Sequence, residues 1–327
     1  MEEVLRWKTV EIEIWNKCNF NCLHCYLPKA GNNTEPMSQE RLKKLLEDLA
    51  KQGYKTAEFT GYEPFLRPDL VECVEIARSL DYDIIIRTNG SLITKENITK
   101  LKEIGISEFY ISLYSFDPKI SDMITRTKDS LEKITNGIKL VREAGIPLTL
   151  SVPLMKPLID FEKLENFIES YNLDYIINLD LYESYDHRET VRSLRLDSKE
   201  LKEAITELVE RFDFKLDNQN FIKDKKLCGI GNGAVTIVNA SGEFVSCILA
   251  KPDGHIDETK LEDIIEKWKT TRKEIVEKRK CNTCEYNEYC NPCPALAMLE
   301  TGDMFGCTPQ HLEIAKIRKE LSEILEY

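Results

Sequence analysis

Cys18, Cys22 and Cys25 lie within eight residues at spacing C-x3-C-x2-C, directly after the strand-like run Thr9-Val10-Glu11-Ile12-Glu13-Ile14-Trp15. A loop leaving a strand can turn three thiolates toward one point. Three thiolates saturate three irons of a [4Fe–4S] cube and leave the fourth open to another ligand. Zinc is the rival, because it prefers four ligands and His24 supplies a fourth. A disulfide would strand one thiol, and nothing marks the chain as secreted. The triplet by itself leaves the two metals open.

A second set follows residue 225: Cys228, Cys247, Cys281, Cys284, Cys290, Cys293 and Cys307. Zinc again competes. The two C-x2-C pairs are only five residues apart, too close for the usual long loop between zinc knuckles, and one zinc would leave three of the seven cysteines unused. The remaining cysteine, Cys73, sits on the apolar stripe of a helix and reads as a small core hydrophobe. A functional role for this thiol conflicts with that mid-helix position.

The chain has 327 residues, 42% of them hydrophobic and 31% charged, with a formal net charge of −12. That is long enough for two domains. The acidic balance argues against a nucleic-acid backbone as main partner. No apolar run reaches membrane-span length, and Met1-Glu2-Glu3 lacks a signal-peptide pattern. Cytoplasm is the expected location, and eleven cysteines in a reducing compartment point to metal.

The elements that must hold these residues alternate. Strands are expected over 9–14, 56–60, 83–88, 108–112, 147–152 and 174–181. Helices are expected over 39–51, from Pro68, from Thr94 to Gly105, near 130–144, over 161–170 and over 198–212. Leu42, Leu45, Leu46 and Leu49 show the helical spacing, with Ser38 as N-cap. Six β/α units predict a parallel sheet with helices outside, either an open doubly wound sheet or a barrel. The cysteine triplet, Gly61–Pro64, Asn89 and Ser112 all fall at C-terminal strand ends, the rim where α/β barrels place chemistry. Beyond residue 225 the alternation stops. Ala234–Val238, a turn at Asn239-Ala240-Ser241-Gly242 and a return strand to Cys247 read as a hairpin.

The triplet, together with Gly61-Tyr62-Glu63-Pro64 after a strand, resembles the radical S-adenosylmethionine (SAM) enzymes, which carry a Gly-Gly-Glu-Pro motif there. Tyr62 stands where that family usually has its second Gly. The resemblance implies a partial (β/α)6 TIM-type barrel over 1–213, with a [4Fe–4S] cluster on Cys18, Cys22 and Cys25 whose open iron binds SAM. It also implies reductive cleavage of SAM to methionine and a 5′-deoxyadenosyl radical. Under it, His24 lies near the adenine, and Gly61, Tyr62 and Glu63 belong to the stretch contacting the SAM amino group. Asn89 and Ser112 fall where ribose or carboxylate contacts are made, and Arg126 pairs with the SAM carboxylate. Residues 214–327 resemble the SPASM extension, a cysteine-rich auxiliary-cluster domain, through Gly242-x4-Cys247 and Cys281-x2-Cys284-x5-Cys290. Cys293 comes one residue early for that pattern. The resemblance implies two auxiliary clusters, one on Cys228, Cys247 and Cys293 and one on Cys281, Cys284, Cys290 and Cys307.

The function expected on this basis is maturation of a ribosomally made peptide or a protein, with the auxiliary clusters assisting oxidation or crosslink formation. An external donor of flavodoxin or ferredoxin type would supply electrons. Only 17 residues precede Cys18, so a separate leader-binding protein or direct binding of a short substrate is expected. Asp180, Glu183 and Asp186 are acidic rim candidates for a basic peptide, against the blander reading of a solvated loop. The alternatives are a small-molecule dehydrogenase or epimerase of the same family (acting on a sugar, nucleoside or amino-acid derivative) and, in another class, a structural zinc protein.

Overall fold

The computed structural model describes residues 8–27, 35–184, 189–216 and 234–324. Six strands, β1 (Lys8–Glu13), β2 (Tyr54–Thr60), β3 (Asp83–Thr88), β4 (Glu108–Ser112), β5 (Leu148–Pro153) and β6 (Asp174–Asn178), pair in parallel and in sequence order. Helices α1 (Gln39–Lys51), α2 (Leu70–Ser79), α3 (Lys95–Ile104), α4 (Pro118–Thr125), α5 (Ser130–Glu143), α6 (Phe161–Tyr171), α7 (Glu189–Ser193) and α8 (Ser198–Phe212) lie between and after them. The described strands leave the sheet open, as a partial barrel.

Alternation along the strands separates two faces. Val10, Ile12, Ala57, Phe59, Ile84, Ile86, Phe109, Ile111, Leu148 and Leu150 are buried in one core with Leu42, Leu46, Leu49, Ile134 and Ile138 from the helices. Their neighbours Glu11, Glu13, Glu58, Arg87, Tyr110, Ser112 and Ser151 fall on the opposite, concave face. Local chemistry sets the helix ends. Ser38 accepts from Arg41 N at α1, Thr94 and Asn97 form a reciprocal capping box at α3, and Gly105 closes α3 in a left-handed conformation.

The cysteine-rich extension is joined to this sheet. Strands β7 (Val235–Val238), β8 (Glu243–Val245) and β9 (Gly254–His255) continue it past β1, with β7 parallel to β1 and β8 antiparallel to both neighbours. The expected hairpin is therefore present and serves as the edge of the barrel's own sheet. Three helices follow: α9 (Leu261–Lys278), α10 (Pro294–Thr301) and α11 (Pro309–Ile324). Ile314, Ile317 and Leu321 of α11 pack on Leu201, Ile205 and Val209 of α8. Arg195 pairs with Glu300 of α10 at 2.5 Å, binding the extension to the barrel from the β6 side. No helix among the described residues is long and apolar enough to cross a membrane.

Candidate metal and cofactor site

The loop carrying the triplet is fixed by backbone contacts. Asn21 N donates to Thr125 O at 3.0 Å and Leu23 N to Ile124 O at 2.8 Å, so the end of α4 clamps it. Arg67, 3% exposed, donates to Ile14 O at 3.0 Å and Met37 O at 2.8 Å and is held in place by Asp69. Gly61 lies beside the same chain exit. Its φ is +108°, and a Cβ there would sit 3.1 Å from Glu13 Cα, so a side chain would push into β1.

Cys18, Cys22 and Cys25 open onto one cavity of about 250 Å³. The same cavity is lined by His24, Gly61, Tyr62, Asn89 and Ser112, and by Tyr26, Arg87, Tyr110, Tyr114 and Ser151, which the sequence reading did not select. The alternation of Arg87 and Tyr110 with buried isoleucines and phenylalanine was the available signal for two of these. Two expected site residues are not part of the cavity lining. Arg126 is an exposed, left-handed C-cap of α4 outside the cavity lining. Glu63 is 1% exposed and spends its carboxylate on the protein: Oε1 accepts from Thr88 Oγ1 at 2.7 Å and Phe65 N at 3.0 Å, and Oε2 from Asn89 N at 2.8 Å. It ties the end of β2 to the end of β3. Asn89 in turn donates to Asn19 Oδ1 at 2.9 Å, and Asn19 to Ser91 Oγ at 2.8 Å, so the cysteine loop and the β3 exit form one hydrogen-bonded unit.

Burial dominates the electrostatics. It pushes the Cys18 thiol up to about 11, with Glu63 and Cys25 adding to the effect. It raises Cys22 further, helped by Cys25 and Cys18, while Tyr114 opposes it by a hydrogen bond. Burial lowers His24 to about 4, which keeps its imidazole neutral. Its ring lies 4.8 Å from that of Tyr114, and its Nδ1 is buried without a hydrogen-bond partner among the described residues. Three soft sulfur donors that repel one another as thiolates suit a cationic iron centre, whose charge would relieve both the repulsion and the desolvation. No disulfide joins any two of the described cysteines. Among the described residues no three His, Cys, Asp or Glu side chains are grouped closely enough to hold a single metal ion. A cubane differs from such a site in binding each thiolate through a separate iron.

Deeper on the concave face, Glu58 forms a two-point ion pair with Arg87, which stacks over Tyr110 at 4.1 Å. Glu11, directly opposite Glu58 in register, is raised to about 7 by burial and by Glu58, with Arg87 opposing. Glu13 accepts from Ala240 N at 3.1 Å, which anchors the β7–β8 turn.

The second cysteine set falls into two places. Cys281, Cys284, Cys290 and Cys307 lie within electrostatic reach of one another: burial lifts Cys290 to about 12, and the other three add to it. Two short 3-10 turns, Lys280–Thr283 and Asn287–Tyr289, shape that segment. Cys247 and Cys293 instead pack against Leu249, Ala295 and Leu296, and Cys293 Sγ caps α10 by accepting from Leu296 N at 3.4 Å. Cys228 lies outside the described residues. Cys73 is fully buried in the core on α2, away from the cavity. Glu183 is fully buried and paired with Arg192, so it is unavailable to a basic peptide; Asp186 lies outside the described residues.

Residues 12–171 match the family profile described as the radical SAM superfamily. The chain is 23% identical to an AdoMet-dependent heme synthase of Methanosarcina barkeri over 89% of this chain and 92% of that one. It is 25% identical to a probable GTP 3′,8-cyclase of Methanothermobacter thermautotrophicus, over 76% and 82% respectively. Among solved structures, Streptococcus suis SuiB bound to its precursor peptide SuiA has a similar fold, with a TM-score of 0.69, 15% identity and coverage of 93% of this chain and 76% of that one.

Proposed function

Residues 12–171 of this chain form a radical SAM domain, and from that premise we propose that it binds SAM and a [4Fe–4S] cluster at the barrel mouth and modifies a peptide or protein. One observation carries the reading: three cysteines on one clamped loop share a cavity with the polar strand ends of β3, β4 and β5. A cluster on Cys18, Cys22 and Cys25 would supply the electron that cleaves SAM to methionine and a 5′-deoxyadenosyl radical. The chain's own residues position and shield. Asn89 ties the cysteine loop to the β3 exit at the cavity wall, Ser112 lines the cavity at the end of β4, and Gly61 lets backbone approach where a side chain would block it. Neutral His24 and Tyr114 form a ring-on-ring wall beside the sulfurs. The Glu63 carboxylate keeps two strand ends in register.

The peptide substrate is supported by the shared fold with SuiB, which holds a precursor peptide. The extension's cysteines add to it: Cys281, Cys284, Cys290 and Cys307 would hold one auxiliary cluster, and Cys228, Cys247 and Cys293 another. These would pass electrons to and from an external flavodoxin- or ferredoxin-type donor. The sequence relatives favour a second reading, a small-molecule substrate, because a heme synthase and a GTP cyclase align over most of the chain.

Anaerobically purified protein should contain roughly twelve irons if all three sites hold cubes. Replacing Cys18, Cys22 and Cys25 by Ala should abolish 5′-deoxyadenosine formation and leave auxiliary iron bound. A triple variant that still cleaves SAM overturns the assignment. Mass spectrometry of a co-expressed peptide, against incubations with tetrapyrroles and nucleotides, separates the two substrate readings.

A further inference from the structure

Between the barrel mouth and the four-cysteine group runs a short polar chain. It starts at Ser151, which lines the cavity and stands 3.4 Å from Asn178 Nδ2 on β6. Two residues on, Asp180 leaves the strand. Its Oδ1 is buried and makes no hydrogen bond among the described residues, and it lies 3.4 Å from Nε2 of His311.

His311 is 4% exposed and fixed by Thr308 at the start of α11. The Thr308 hydroxyl oxygen accepts from the His311 backbone N–H at 3.1 Å and stands 2.7 Å from His311 Nδ1. With that N–H already directed at its oxygen, the hydroxyl has its proton free to donate to Nδ1. The ring proton is then on Nε2, 3.4 Å from Asp180 Oδ1. The His311 carbonyl lies 4.0 Å from Cys290 Sγ, and Asp180 is one of the charges acting on that thiol.

We propose that Asp180, 3.4 Å from the Thr308-held ring of His311, is a positioning residue that links the last barrel strand to the Cys281, Cys284, Cys290 and Cys307 group and lowers the reduction potential of the cluster held there. The inference rests on the reading that these four cysteines hold a cluster. A carboxylate fixed beside a cluster opposes the arrival of an electron, and such outer contacts tune cluster potentials.

The test is an EPR-monitored redox titration of the anaerobic holoenzyme. Asp180→Asn keeps the shape and removes the charge. It should shift one auxiliary signal to higher potential and leave the SAM-binding cluster's potential and the total iron unchanged. Thr308→Val, which frees the imidazole, should shift the same signal in the same direction by less. An unshifted auxiliary signal, or loss of iron from the Asp180→Asn protein, overturns the proposal. Unchanged iron content in a Cys281→Ala/Cys290→Ala variant instead overturns the cluster assignment beneath it.

Discussion

Glu63→Gln separates a positioning carboxylate from a cofactor ligand. The substitution keeps the shape but turns one oxygen into an NH2. Whichever oxygen is lost, the backbone N–H of Phe65 or of Asn89 loses its acceptor in a buried place. Such a loss costs about 1–3 kcal/mol. The wild-type carboxyl carries a cost of its own, since burial lifts it from 4.5 to about 6 against the hydrogen bonds from Thr88, Asn89 and Phe65. A raised carboxyl is protonated more readily in the folded chain than in the unfolded one. Its stabilising contribution is complete below the ordinary carboxylate value and is lost as pH rises through the folded value. A shift of this size is worth about 2 kcal/mol. Glutamine does not titrate. The stability gap between wild type and variant should therefore narrow by about 2 kcal/mol from about pH 4 to about pH 7, most of it between the two carboxyl values. Urea unfolding of both metal-free proteins across that range measures the gap. A gap that stays constant, or widens with pH, refutes the buried, hydrogen-bonded role given to Glu63.

Gly61→Ala places a Cβ 3.1 Å from Glu13 Cα at a φ of +108°, so about 1–3 kcal/mol of stability should be lost; thermal unfolding measures it, and SAM binding by calorimetry should weaken in parallel. Glu11 is raised to about 7 by burial beside Glu58, so Glu11→Gln should be more stable than wild type at about pH 8 and lose that advantage by about pH 5, as read from denaturant midpoints. Cys293→Ala should remove iron from one auxiliary site only and also cost α10 its cap, about 1 kcal/mol; unchanged iron and spectra would remove Cys293 from the ligand set.

The sequence determined whatever depends on near neighbours along the chain. Helix α1 at 39–51, strands β3 and β4 and helix α8 lie where periodicity and caps place them, because side-chain spacing and end chemistry act within a few residues. The triplet is equally local: one loop delivers all three thiols. Some local signals were present but unused, such as Asp117-Pro118, which caps α4, and the apolar stripe of Leu261, Ile264, Ile265 and Trp268 in α9.

Tertiary structure alone decided contacts between distant segments. Nothing near Val235 foretells its pairing with Thr9, yet that pairing makes the extension part of the barrel sheet. Glu63 and Arg126 are both polar residues that the family resemblance assigns to the cofactor, but one is drawn inward by donors at the end of β3 while the other caps a helix and faces solvent. Likewise Asp180 and Glu183 look alike as acidic loop residues. Arg192 seals one, and His311, 131 residues along the chain from Asp180, faces the other. Such partners are chosen by packing of the whole chain, and packing has no short-range signature.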